Sequence, residues 1–395
     1  MKNRREKIKK LMIENNIDVA IVSSPENVFY VANYAGNQHC VSRQAEFSAA
    51  IMWKDDVKPC AITMDFEKPT FEENTDIEVL AYDTWVGVKN LAEIEENIAL
   101  TLNRERVDIF KIIHDRIEKS GFSKGVIGLE MDYISHNFYN KLLKILPEAN
   151  FVNISTLFVK GRSIKTKEEI DVFRKITKVE DEALLYTSSF IKAGVSEREL
   201  INIYRSKVME SKVCVPSSWS MLSSGVNSSK LTLPTDNVIK DGDIFKFDGG
   251  VNCEFSFYTT DMSRSYIIGK GNPTLVEVKK RLYDAQRLMI ENIKPGMKIC
   301  DLFKLGYSYV KEKYSSYERG HLGHSISIGP QTCEYPVITP TENTVIEEGM
   351  IFCIEVPMYI RGVGGFNIED MVLVTKDGAE VLTYRTPHYL QDEIR

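Results

Sequence analysis

Four carboxylates stand within or at the ends of strongly apolar segments. Asp248 closes "IFKFDGG", Asp261 follows "FYTT", Glu355 lies within "IFCIEVP" and Glu369 within "FNIEDMVLV". Any fold that buries these segments carries the carboxylates inside with them. One unpaired buried carboxylate costs several kcal/mol even after relaxation. Taken singly, each has a bland reading: a strand-end turn for Asp248, surface positions for Asp261 and Glu369. Glu355 resists it, because apolar sequence flanks it on both sides. Four together require cations, and two divalent ions would balance them charge for charge.

The spacing allows a common site. Asp248 and Asp261 lie 13 positions apart around an expected hairpin, and Glu355 and Glu369 lie 14 apart around "GVGGF". Two of the six histidines, His321 and His324, stand in "ERGHLGHSISIG". On spacing alone they are open to three readings: ligands, an acid and base, or packing. One imidazole added to four carboxylates makes a hard donor set. It suits Mn²⁺, Fe²⁺ or Co²⁺, admits Zn²⁺ and disfavours a soft copper site.

Composition narrows the class. A chain of 395 residues suggests two domains, and 43% hydrophobic residues can bury substantial cores. The formal net charge of −6 argues against a dedicated nucleic-acid binder, which needs a basic surface. "MKNRREKIKK" reads as one solvated helix face. No apolar run approaches the roughly 18 residues of a membrane span, and the N-terminus lacks the apolar core of a secretory signal. Seven cysteines, scattered and without CxxC spacing, fit a reducing cytoplasm.

The first segment alternates helical and extended patterns, giving an α/β domain over residues 1–157. "RREKIKKLMIENN" predicts a helix, "DVAIVSS" a buried strand, and "PENVFYVANYAG" a short helix ending near Gly36. "FSAAIMW" and "PCAITM" predict paired strands. The pattern from Trp85 to Lys119 is helical and charged, and Ser135 caps a later helix. Residues 158–395 form the second domain. Thr166 with Glu169 makes a capping box for a helix running towards Gly194. Two later helices cover "TLVEVKKRLYDAQRLMIENI" and "KICDLFKLGYSYVKEKY". With the strands around the four carboxylates, they make an α+β domain.

The ordered series "FDGG", "YTTDMSR", "GHLGHSISIG", "IFCIEVP" and "FNIEDMVLVT" resembles the aminopeptidase P, prolidase, methionine aminopeptidase and creatinase superfamily. The resemblance implies a "pita-bread" catalytic domain behind a creatinase-type N-terminal domain. It further implies that Asp248, Asp261, His324, Glu355 and Glu369 hold two divalent metal ions, with Mn²⁺ expected. The implied reaction is hydrolysis of a peptide bond by a metal-bridging hydroxide, with Glu355 moving the proton. Relatives with this layout usually cleave peptides at proline and are commonly cytoplasmic homodimers.

The chain departs from that pattern at three places. No histidine precedes "PTD" in "NSSKLTLPTDN", where Leu231 or a neighbour falls. Cys333 takes the place of a second histidine, and Asn367 that of an arginine. Asparagine cannot neutralise a substrate carboxylate as arginine's fork does. These departures open two alternatives: a non-proline amide substrate, or a catalytically weak homologue that binds peptides or a partner. His321 is the candidate for missing electrophilic help at the reacting centre. Lys230, Cys333 and Asn367 are candidates for the substrate side.

Overall fold

Period-two alternation governs the strands that matter here, because it decides which side chain of each neighbouring pair meets the core. The computed structural model describes residues 2–86, 90–97, 107–254, 256–329 and 333–390. The chain divides into two compact units, Met1–Arg162 and Ser163–Arg395.

In the first unit, the apolar runs become the middle of a mixed sheet. Its order among the described residues is Glu78–Tyr82, Cys60–Met64, Ala49–Trp53, Val19–Val22, Val126–Leu129 and Asn150–Asn153. Val19–Val22 is antiparallel to Ala49–Trp53 and parallel to Val126–Leu129. All three central strands are buried along nearly their whole length, as continuous rather than alternating apolar sequence requires.

Helix Ile109–Ser120 starts at Asp108, whose side chain accepts from Lys111 N, and turns out at Gly121, where φ is 80°. It buries Ile109, Ile113 and Ile117 along one stripe. Ser135 caps His136–Ile145 as expected, accepting from Phe138 N. The expected helical stretch from Trp85 to Lys119 falls partly on residues 87–89 and 98–106, outside the described residues. The helix expected to end near Gly36 ends at Ala32, and a second one, Asn37–Ser42, follows.

In the second unit, Thr166 and Glu169 form the expected capping box of helix Lys167–Ser188. The helix stops short of Gly194. Ser188 and Ser189 donate their hydroxyls back to the carbonyls of Leu185 and Tyr186, competing for the groups another turn would need.

Among the described residues the main sheet has eight strands. Its order is Glu334–Val337, Gly323–Ser325, Ile351–Glu355, Glu369–Thr375, Met262–Ile267, Ile244–Gly249 and Met221–Ser224, with Gly378–Val381 also on Glu369–Thr375. Phe352, Ile354, Val372 and Val374 face one way, into a core shared with helices Pro273–Asn292 and Ile299–Lys313. Cys353, Glu355, Glu369 and Met371 therefore face the other way. There Thr177 of helix Lys167–Ser188 donates to Met371 Sδ at 3.6 Å.

Asp370 falls on the helix side, one residue from Glu369. Arg264, 1% exposed, spends all its donors around it. Nη2 reaches Asp370 Oδ1 at 2.8 Å and Thr383 O at 2.6 Å; Nη1 reaches Glu369 O at 2.7 Å and Ser263 O at 2.9 Å; Nε reaches Thr386 O at 2.8 Å. Gln286 and His388 bond the second Asp370 oxygen. Burial pushes the Asp370 carboxyl up, but Arg264 and His388 outweigh burial and hold it well below the ordinary range.

Removing one partner of such a pair strands the other charge. Arg264→Ala is expected to cost about 3–5 kcal/mol in urea unfolding; a loss below about 1 kcal/mol would remove the network's structural role. In the first unit His39 is fully buried, and burial above all lowers its pKa from 6.5 to about 4. As pH falls through that interval the unfolded chain takes up the proton first, so folding weakens. Summed over the interval, the loss is about 3 kcal/mol. His39→Gln should flatten this acid slope; an unchanged slope assigns it to another group.

Candidate metal centre

The sheet register sets the carboxylates in a row. Glu355 stands directly opposite Glu369, Glu369 opposite Ser263, and Ser263 opposite Asp248. Asp261 precedes the strand Met262–Ile267 and is 5% exposed; Asp248, Glu355 and Glu369 are 8%, 7% and 2% exposed. The surface readings of Asp261 and Glu369 therefore fail. Like charges directly opposite on neighbouring strands destabilise a sheet. The Glu369 carboxyl accordingly sits far above its ordinary range, raised first by burial and then by Asp261, Glu355 and Asp248.

His324 is oriented as a ligand would be. Its Nδ1 lies 3.0 Å from the carbonyl oxygen of Ser325 and donates to it. Its other ring nitrogen, Nε2, faces Asp261 Oδ2 at 3.6 Å. A backbone bond that fixes the other ring nitrogen is how metal-binding histidines are held. One donor atom each from Asp261, His324, Cys353 and Glu369 lie within 4.8 Å of one another. Cys353 is a neighbour rather than a thiolate ligand. Its Sγ donates to the carbonyl of Asp261 at 3.8 Å, and burial first, then Asp261 and Glu369, push the thiol well up. The oxygen donors with one imidazole fit a divalent ion of the harder kind.

Around this centre each outer carboxylate has its own partners. Glu355 Oε1 lies 3.2 Å from His321 Nδ1, and Oε2 lies 3.5 Å from Arg319 Nη2. Arg319 also reaches His321 Nε2 at 3.4 Å, which leaves the ring proton on Nδ1, facing Glu355. Burial lowers the His321 pKa, with Glu355 opposing, so the ring is neutral near pH 7. Asp248 Oδ2 accepts from Lys246 Nζ at 3.3 Å and from Asn367 Nδ2 at 3.5 Å. Asn367 is buried and donates to Glu369 Oε2 at 3.2 Å as well.

The remaining candidates lie farther out. Cys333 is exposed, and its thiol is pushed up to about 11 by its surroundings first and by the field of Glu355 and Asp261 next. Residues 330–332 beside it fall outside the described residues. Lys230 is exposed, with Nζ donating to Asn227 Oδ1 at 2.9 Å and no hydrogen bond or ion pair to the carboxylate row.

Sequence reasoning missed four neighbours. Lys246 and Arg319 both lie near the Tyr359 ring, their charges 5.1 Å and 5.9 Å from its centroid. Glu180, wholly buried in helix Lys167–Ser188, has its carboxyl raised well up by burial and adds to the field on Glu369. The signal for Lys246 was available: two residues before Asp248 in one strand means the same face.

Residues 171–376 match the metallopeptidase family M24, and residues 4–164 match the creatinase/prolidase N-terminal domain. The chain is 27% identical over 390 residues to an Xaa-Pro dipeptidase of Pyrococcus furiosus, covering 97% of this chain and 98% of that one. The solved Xaa-Pro dipeptidase of Bacillus anthracis superposes with a TM-score of 0.81 at 25% identity, covering 98% of this chain and 100% of the other. An X-Pro aminopeptidase of Thermotoga maritima gives 0.77 at 21% identity, over 98% and 99%, a likeness of fold alone. With the family's domain pair matched in order, the chain belongs to metallopeptidase family M24, a pita-bread catalytic domain preceded by a creatinase-type N-terminal domain.

Proposed function

We propose that this chain is a metal-dependent amide hydrolase of the Xaa-Pro peptidase type. The observation that carries the reading is His324 Nε2, turned on Asp261 beside the buried Glu355–Glu369 pair. Asp248, Asp261, His324, Glu355 and Glu369 are the residues that would hold the metal, and their oxygen-rich set favours Mn²⁺, with Co²⁺, Fe²⁺ or Zn²⁺ accepted. Two ions would use the whole set, although Lys246 already lies against Asp248. A bound divalent ion supplies polarisation of the scissile carbonyl and a water acidic enough to react near neutral pH.

The protein's own groups then handle the protons. Glu355 stands at one end of the row, with His321 Nδ1 3.2 Å from one oxygen and Arg319 Nη2 3.5 Å from the other. It takes the proton of the attacking water and returns it to the leaving nitrogen. The neutral His321, with Nδ1–H aimed inward, donates to the oxyanion that forms. Asn367 fixes Glu369 and Asp248, and Cys333 and Lys230 border the substrate side. We place the reaction on peptides with proline after the scissile bond, in a cytoplasmic homodimer. The support is the similarity over nearly the whole chain to Xaa-Pro dipeptidases. Asn367 favours one second reading, a small amide without a carboxylate to grip, because no arginine fork stands there.

Assays of Xaa-Pro and Xaa-Pro-Yaa peptides with added Mn²⁺ or Co²⁺ test the substrate. Near-stoichiometric metal without turnover of either would move the assignment to the second reading. Glu355→Gln should lower kcat by at least about 100-fold while the protein stays folded; retained turnover refutes the proton-transfer role.

A further inference from the structure

Charge is the quantity that limits how many ions this site accepts. Asp248, Asp261, Glu355 and Glu369 bring four negative charges when ionised. Two basic side chains already stand among them. Lys246 Nζ, with a side chain 0% exposed, is 3.3 Å from Asp248 Oδ2, and Arg319 Nη2 is 3.5 Å from Glu355 Oε2. The deficit that remains is two charges, which is one divalent ion.

Geometry puts that ion at one end of the row. The tight group of donors comprises Asp261, His324 and Glu369 beside Cys353; neither Asp248 nor Glu355 is in it. Asp248 Oδ2 is engaged by Lys246 and Asn367 instead. Lys246 has no easy retreat. Ser223 and Ser265 stand directly opposite it on the two neighbouring strands, and the Tyr359 ring lies 5.1 Å from its nitrogen. An ion bound at Asp248 would stand within a few ångströms of a buried ammonium, a like-charge contact that low local polarity strengthens.

We infer that this chain holds a single divalent ion, at Asp261, His324 and Glu369 with Glu355 beside them, and that the Lys246 ammonium takes the place of a second ion at Asp248. This rests on the metal-centre reading above and fixes its stoichiometry. Lys246 thereby becomes a positioning residue: it holds Asp248 in register beside Asn367 without a metal.

The test counts ions rather than turnover. The full chain, stripped with chelator and dialysed, is titrated with Mn²⁺ while the electron paramagnetic resonance signal of free Mn²⁺ reports what remains unbound. Elemental analysis checks the bound total. The wild type should bind about one Mn²⁺ per chain, and Lys246→Met about two, with folding followed by circular dichroism. His324→Ala should weaken that binding at least tenfold. Two ions in the wild type overturn the inference and leave the metal centre standing. One ion in a folded Lys246→Met variant also overturns it. No binding by the wild type overturns the metal-centre reading itself.

Discussion

The second unit is organised around the opposition of Glu355 and Glu369 across two adjacent antiparallel strands. Main-chain pairing holds the two carboxylates together, and neither can move away without breaking the sheet. Their repulsion is a fixed cost that the fold must offset locally. Every polar feature nearby follows from that need: the imidazole turned on Asp261, the amide of Asn367 shared between Glu369 and Asp248, and the guanidinium and ring flanking Glu355. A metal centre of this kind is a destabilising cluster before its ion arrives, and the rest of the sheet has to be strong enough to carry it. The strength comes from the opposite face, where Phe352, Ile354, Val372 and Val374 pack against two long helices.

Arg264 and Asp370 link the two faces. The guanidinium bonds the carbonyl of Glu369 while its other arm pairs with Asp370, so the backbone that presents the site is tied to the backbone that builds the core. Buried ion pairs contribute little net stability against apolar replacements, and their best-attested use is to specify one arrangement. Here the arrangement specified is the register of the Glu369–Thr375 strand, on which the centre depends.

Much of this was legible in the sequence because buried carboxylates are rare enough to stand out. Asp248, Glu355 and Glu369 fall within one strand row with Asp261 just before its strand, and the capping box at Thr166 and Glu169 is formed as expected. Less legible were the compensating charges. Lys246 is an ordinary residue in composition, and only the strand period reveals that it shares a face with Asp248. Arg319 lies outside any regular element, so no periodicity points it at Glu355. Helix ends were misplaced where serine hydroxyls or a left-handed residue such as Asn33 stop the chain early. Those are local competitions between side chain and backbone that hydrophobic patterning does not encode.

The adjacency of Glu369 and Asp370 has a consequence for how this sequence can vary. Two consecutive acids serve opposite sides of one strand, the first in the buried carboxylate row and the second in an anchor with Arg264. Chemically they are almost interchangeable; by parity they are not. A one-residue deletion between Phe366 and Glu369 would still leave an acid at each place in the alignment. Yet it would turn Asp370 towards the carboxylate row and Glu369 towards the helices. Lineages related to this chain should therefore accept substitutions along this strand far more readily than changes in its length.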